Sequence, residues 1–261
     1  QQAEVDPELQ ALVLRSLVES GSEEALEVLV GLVENAEGRG LDPVLLLEQF
    51  RYLESLSGRM LEFLARHSRG EDEVLSEVAF AVLGVLGQRL ASSDPQRARE
   101  VAARLEESVR SSGATLQQRA DALHCLGQVG VKSSLEVLGE FTHSEEPMLR
   151  ETAIRALTSF AGEPRVLDWV RRGFQEDEDE GVVLACGEAL AELSMPDLDR
   201  FLRRQFDENE HPAARAFSLI HLVEGESDTS GRDWLLEVAE SDRDPEIRRL
   251  AKDLLGEPDE D

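Results

Sequence analysis

The sequence is short of nearly everything on which a catalytic reading would rest. It has two cysteines in 261 residues, Cys125 and Cys186, in no CxxC or zinc-ligand spacing, so neither a disulfide framework nor a structural zinc site is encoded. Five histidines (His67, His124, His143, His211 and His221) are scattered along the chain without an H-E-x-x-H or any His-Glu pair. The phosphate-cradling patterns G-x-x-x-x-G-K-[ST] and G-x-G-x-x-G are missing, and so is the nucleophile elbow G-x-S-x-G. The expectation is a protein with no catalytic residues, no metal and no cofactor.

Basic charge is scarce as well. Against 55 acidic residues stand 27 basic ones, giving a formal net charge of −28, and only Lys132 and Lys252 are lysines. A surface of that sign repels a phosphate backbone instead of releasing its counterions, so nucleic acid is excluded as an expected partner. No uninterrupted apolar run reaches eighteen residues, which argues for a soluble chain rather than a membrane span. The chain opens QQAEVDPEL, without methionine or an apolar leader, and reads as a processed chain or a piece of a longer one. Compartment and oligomeric state are not encoded in any recognisable way.

Aromatics make up 5% of the residues, so the core has to be aliphatic, and what the chain does hold is Leu, Ala, Val, Glu and Arg in long amphipathic stretches. Straight-chain residues lose little rotamer freedom in a helix, and the chain reads as all-α. The helices also repeat. EEPMLRETAIRALTSFA (145–161) has its offsets repeated in EHPAARAFSLIHLV from Pro212 and in DPEIRRLAKDLLG from Pro245. Extended to positions without proline, the unit origins are Glu73, Leu116, Pro147, Glu180, Pro212 and Pro245, mostly about 33 residues apart. Six residues after each origin stand Ala79, Ala122, Ala153, Cys186, Ser218 and Ala251; ten after stand Leu83, Leu126, Leu157, Leu190, Leu222 and Leu255. Small residues there suit close helix–helix approach, and the leucines suit a continuous core. Shorter amphipathic helices are predicted between them, at 133–141, 164–174, 196–206 and 232–240. Each unit is thus a helical hairpin, with proline at the first position of its second helix, where the missing N–H costs nothing.

A proline followed by an aliphatic–Arg pair and an A-x-x-A-L spacing, in hairpins of this length, resembles the HEAT-repeat family over residues 58–257. The resemblance implies a right-handed α-solenoid of stacked hairpins, and it says little about activity. The sequence departs from the pattern where Val183 replaces the arginine of the fourth unit, and where residues 89–116 fit an extra or lengthened helix. The run ADALHCLGQVGVKSSLEVLGEF (120–141) with MLRETAIRALTSFA is also similar to the helical domain of vitellogenin-type large lipid-transfer proteins. That likeness implies an arch beside lipid-carrying sheets, but no strand-rich region is present to form a lipid cavity. Residues 1–57 read as helices without the proline–arginine skeleton and are expected to form a cap, and residues 258–261 an acidic tail.

Each candidate chemistry has a plainer explanation. The run QEDEDEG (175–181) lacks the calcium-loop spacing and reads as a solvated turn. Cys125 and His124 are neighbours on a helix, pointing about 100° apart, and cannot form a nucleophile–base pair. Trp169 and Trp234 are expected to pack between units. Arg119, Arg150, Arg215 and Arg248, three residues after their origins, are expected to bridge carboxylates of neighbouring turns.

If offsets six and ten face the core, offsets four and eight face roughly the opposite way. That face presents Glu77, Ala81, His124, Glu151, Arg155, Leu184, Glu188, Ala216 and Ile220 as candidate partner-binding residues. Its acidic and then apolar character suits a basic, amphipathic protein or peptide, with Leu184 and Ile220 as apolar anchors. The expected role is a non-enzymatic interaction module or scaffold; the competing role is an accessory helical domain of a larger catalytic or lipid-carrying assembly.

Overall fold

A helix can only begin where its first N–H groups find other acceptors or where proline removes the need for one, and the chain uses both devices repeatedly. The computed structural model describes residues 7–225 and 229–256, and every regular element among them is helical. In chain order these are α1 (Pro7–Ser20), α2 (Glu23–Glu34), α3 (Ala36–Arg39), α4 (Pro43–Glu48), a 3-10 turn (Gln49–Tyr52), α5 (Gly58–His67), α6 (Glu73–Ser93), α7 (Pro95–Arg110) and α8 (Leu116–Val129). There follow α9 (Leu135–Phe141), α10 (Pro147–Leu157), α11 (Pro164–Glu176), α12 (Glu180–Glu192), α13 (Leu198–Glu208), α14 (Pro212–Gly225), α15 (Thr229–Ser241) and α16 (Pro245–Leu255). All six repeat origins are the first residue of a helix: α6, α8, α10, α12, α14 and α16. The lengthened segment at 89–116 is resolved into the end of α6 and the whole of α7. The acidic tail at 258–261 lies outside the described residues.

The caps follow from the residues available. Asp72, Asp94, Thr115, Asp179 and Asp244 each accept a hydrogen bond from a first-turn N–H of the helix that follows. Thr115 and Gln118 complete a reciprocal capping box at α8, and Gly130, at φ 65°, ends that helix in the left-handed conformation a side chain disfavours.

The chain divides into two compact units, 1–140 and 141–261. The expected cap boundary at residue 57 falls inside the first, where α5 packs on α6. In that unit α6 is central and touches α4, α5, α7 and α8. At 21 residues it is long and apolar enough to cross a membrane, but half of its most apolar stretch is buried, as befits a core helix. Its approach to α8 depends on glycine: a Cβ at Gly84 would lie 2.0 Å from Gln128 Oε1, and one at Gly87 2.4 Å from Val129 Cγ2.

In the second unit, α11–α12, α13–α14 and α15–α16 pair as hairpins, while α10, α12, α14 and α16 pack successively side by side. Ala153, Cys186 and Ala251 are fully buried at these contacts, and so is Ser218, whose hydroxyl returns a hydrogen bond to Ala214 O. Gly187 lets the Phe217 ring approach so closely that a Cβ would sit 2.7 Å from it. The small-residue column is equally buried in the first unit, at Ala79 and Ala122.

Candidate functional site

The buried columns fix which way the remaining side chains point. Offset ten is core at Leu83, Leu126, Leu157, Leu190 and Leu222 and half-buried at Leu255, the last of the series. On the other side, Glu77, Ala81, His124, Arg155 and Glu188 are exposed, and Glu151, Leu184, Ala216 and Ile220 are half-buried. Two positions of the offset-four column behave differently from an open groove. Ala216 packs against the core cluster around Leu219, Leu235 and Ile247. Ala120, the equivalent position on α8, is buried outright.

Within the second unit the structure brings Glu151, Arg155 and Glu188 into one ion-paired group. The Arg155 guanidinium donates to Glu151 at 3.1 Å and to Glu188 at 2.6 Å, tying α10 to α12 across the surface. Burial works against the Arg155 charge, but the bonds it donates to these two carboxylates outweigh it and raise the pKa. This part of the face is electrostatically satisfied.

The first unit is not. Glu77 on α6 and Asp121 on α8 form no ion pair among the described residues, and Asp121 is pushed above the usual carboxylate range by burial, with the Glu77 charge adding to the effect. The Gln117 amide, 2.8 Å away, and His124 oppose that shift. His124 itself lies 3.0 Å from the Gln128 amide, while the Cys125 thiol donates to Phe80 O at 3.1 Å.

The arginine column does what stacked arginines in an acidic protein are suited to do, and it also ties down backbone. Arg150 holds Asp177 in a two-point contact at 2.7 and 2.8 Å while donating to the carbonyls of Ser144 and Glu145. Arg215, almost wholly buried, donates to Phe206 O at 3.0 Å and to Asp242 at 2.5 Å. Arg248 reaches Asp242 O, and Arg119 reaches Val109 O. The rungs of Arg150 and Arg215 therefore run from a second helix to the turn of the following hairpin, whereas Arg248 ties down the turn of its own.

Those turns share a second feature that the sequence did not advertise. Ser144, Asp177, Asn209 and Asp242 occupy equivalent places, and the side-chain oxygen of each accepts from the N–H two residues on, at 3.2, 3.0, 2.8 and 2.8 Å. Where the arginine is replaced by buried Val183, the acceptor in the following turn is the neutral Asn209. Cation and anion are absent together. A depression of about 650 Å3, lined in part by Asp177, Glu178, Asn209, Glu210 and His211, lies between these two turns.

The acidic run at 175–181 is thus largely consumed by folding: Asp177 by Arg150, and Asp179 by the Val182 N–H. Burial alone would raise the Asp177 pKa, but the bonds from Arg150 and from the Asp179 and Glu178 N–H groups hold it below the ordinary value. No group of three metal-ligating side chains occurs among the described residues. Cys125 and Cys186 are free, buried thiols, both pushed up to about 12 chiefly by burial, and unsuited to act as nucleophiles. Trp234 packs edge-on against Phe206 at 5.1 Å, joining α15 to α13, and Trp169 is half-buried beside Arg165.

With second helices packed side by side, a buried small-residue column and arginine rungs between turns, the architecture can be compared with known proteins. Residues 111–191 match the family model for HEAT repeats. The fold is accordingly an all-α, HEAT-like one. A solved structure, the complex of CpcE and CpcF of phycocyanin lyase from Nostoc sp. PCC7120, is similar over 77% of this chain and 77% of that chain, at 16% identity and a TM-score of 0.40. No curated protein matches.

The offset rule missed Leu45, Tyr52 and Val85, all exposed large apolar residues of the first unit. Leu45 and Tyr52 precede the first repeat origin. A signal for Val85 was present: it stands twelve residues after its origin, where the later units carry Gln128, Ser159, Glu192 and Glu224.

Proposed function

We propose that this chain is a non-enzymatic interaction module that holds a basic protein or peptide on the outward face of its second helices. The observation supporting this reading is that α6, α8, α10 and α12 each carry a fully buried residue at offset six and an exposed one, Ala81, His124, Arg155 and Glu188, at offset eight. Repeated helical hairpins present such faces as extended binding surfaces, and 55 acidic residues against 27 basic ones favour a partner of opposite sign. Both thiols are buried and the second unit's acids on this face are engaged by Arg155, so neither supplies a free nucleophile or acid–base pair among the described residues.

The test is cross-linking of the intact protein in its source cell. Partners are identified by mass spectrometry and re-measured as purified components. Cross-links concentrated at Glu77, His124, Glu151 and Glu188 support the reading; a purified partner bound solely through first helices such as α11 or α13 sinks it.

A further inference from the structure

We infer that the partner's anchor point lies on the first unit, where Leu45, Tyr52, Ala81 and Val85 form an apolar patch beside the unpaired acids Glu77 and Asp121, and that its occupant is a cationic amphipathic helix of a partner protein. This rests on the reading proposed above and assigns it to one place. Exposed large apolar side chains are unevenly distributed: seven of those among the described residues belong to the first unit, against Met148 and Leu254 in the second. Leu45 is 56% exposed, Tyr52 63% and Val85 40%.

Helix geometry collects these into one surface. Leu45 on α4 and Tyr52 in the 3-10 turn that follows it are both exposed on the segment that packs against α6. Arg89 donates to the carbonyl of Arg51, which sets the Tyr52 end of that segment against the last third of α6. Val85 lies one turn before Arg89, Ala81 one turn before Val85, and Glu77 one turn before Ala81, all exposed on α6. Asp121 on the adjoining α8 feels the Glu77 charge. Apolar surface therefore grades into the exposed Glu77 carboxylate within two turns of a single helix.

That gradient selects the occupant. A helix with aliphatic residues at i, i+3, i+4 and i+7 and lysine or arginine at its margin would cover the apolar patch and bring cations to Glu77 and Asp121. An acidic or purely polar segment gains nothing here. A second copy of this chain, with a net charge of −28, would bring like charge to the acids.

The probe is a short synthetic peptide of leucine and lysine in that helical spacing, compared with a scramble of the same composition that has no apolar face. Binding to the full chain is followed by fluorescence anisotropy near physiological salt, and its place by hydrogen exchange. We expect saturable 1:1 binding, about tenfold tighter for the patterned peptide than for the scramble, with protection of 43–52 and 74–89. Leu45→Gln with Val85→Gln should weaken binding about tenfold, while Leu184→Gln with Ile220→Gln changes it less than about twofold. Hydrogen exchange on the unaltered protein decides the matter should a variant lose its helical circular dichroism. Equal affinity for patterned and scrambled peptides would mean charge alone binds, and overturns the proposal. Protection confined to 151–192 would also overturn it while leaving the broader interaction reading in place. Sedimentation showing a dimer that Val85→Gln dissolves would assign the patch to self-association and overturn it too.

Discussion

The two units obey one facing rule and finish their surfaces in opposite ways. In the second, an exposed arginine bridges Glu151 and Glu188, and buried or half-buried arginines lock one hairpin turn to the next. In the first, the turn between α5 and α6 is held by a neutral network. Gln118 donates to Gly70 O at 2.8 Å and to Ser76 Oγ at 3.2 Å, and Ser76 donates to Ser68 O at 2.6 Å. The outer face of that unit keeps two acids unpaired and its apolar residues open. The difference shows that on this face the same hairpin repeat can tie its acids to an arginine or leave them open, while first-unit charges elsewhere, as in Glu27–Arg59, Glu34–Arg66 and Glu62–Arg104, join its helices.

The comparison is broken most sharply at the buried rung. Truncating one member of a buried ion pair strands the other charge, and Asp242→Ala should cost about 3–5 kcal/mol because Arg215 would remain buried without its carboxylate. Gln118→Ala in the neutral network should cost about 1–3 kcal/mol, the penalty of leaving Ser76 and Gly70 O short of a partner. Urea denaturation of both variants measures the contrast. Equal losses would mean that the charged rungs are no more integral than the neutral network.

Nearly as large is the effect expected at the missing rung. Val183→Arg should destabilise strongly, by roughly 3 kcal/mol, since a buried guanidinium would face the neutral Asn209. Adding Asn209→Asp should recover about half or more of that loss by restoring the pairing seen at Arg150–Asp177 and Arg215–Asp242. A double variant no more stable than the single one would show that Val183 and Asn209 are unrelated replacements.

Much of this architecture was legible from the chain because periodicity survives without knowledge of contacts. Ala153 and Cys186, at offset six, are both fully buried, and Leu157 and Leu190, at offset ten, are too. Offset four was less reliable. It assumes a helix flanked symmetrically, whereas α8 lies so close to α6 that Ala120 is buried, and α14 turns Ala216 toward the core cluster. The carbonyl contacts of Arg119 and Arg248 were beyond reach, since a backbone acceptor leaves no mark in side-chain sequence. Leu45 and Tyr52 were passed over because their segment lacks the proline–arginine skeleton, although it packs on α6 as a second helix does.

A middle-sized effect tests packing. Ala153→Leu should destabilise by about 1–3 kcal/mol, because the contact between α10 and α12 has no room for the added volume. Ala81→Leu, on the open face of α6, should change stability by no more than about 0.5 kcal/mol and should tighten binding of the patterned peptide. Thermal melts of the pair separate a filled interface from an unfilled one. A loss at Ala81 equal to that at Ala153 would place both residues in core.

Acid should act on the two units with opposite signs. Asp177 has a folded-state pKa below its unfolded one, so its contribution is present above the unfolded value, about 4, and is lost as pH falls through the lower folded value. Asp121 has a raised pKa, so its ionised form opposes folding at neutral pH, and protonation relieves that cost as pH falls toward the carboxylate range. Asp177→Asn should flatten the acid limb of the stability curve, whereas Asp121→Asn should raise stability near pH 7. Carboxyl chemical shifts followed by NMR would check both directions, and a rise at Asp177 or a fall at Asp121 would reverse the assignment.

A small expected change in stability is the most telling about function. Arg155 is half exposed, and surface ion pairs of this kind contribute about 0–1 kcal/mol, so Arg155→Ala should leave the fold nearly as stable as before. It would nevertheless uncover Glu151 and Glu188 and give the second unit the same uncompensated charge that Glu77 and Asp121 give the first. If charge were sufficient for recognition, the patterned leucine–lysine peptide should then acquire a second binding site. We expect it not to: Leu184 and Ile220 are half-buried, so the face would offer attraction on encounter without an apolar surface to retain the helix. The expected result is faster, salt-sensitive association with unchanged 1:1 stoichiometry. A second site of comparable affinity would show that the open apolar patch is dispensable and that acidity alone directs the partner.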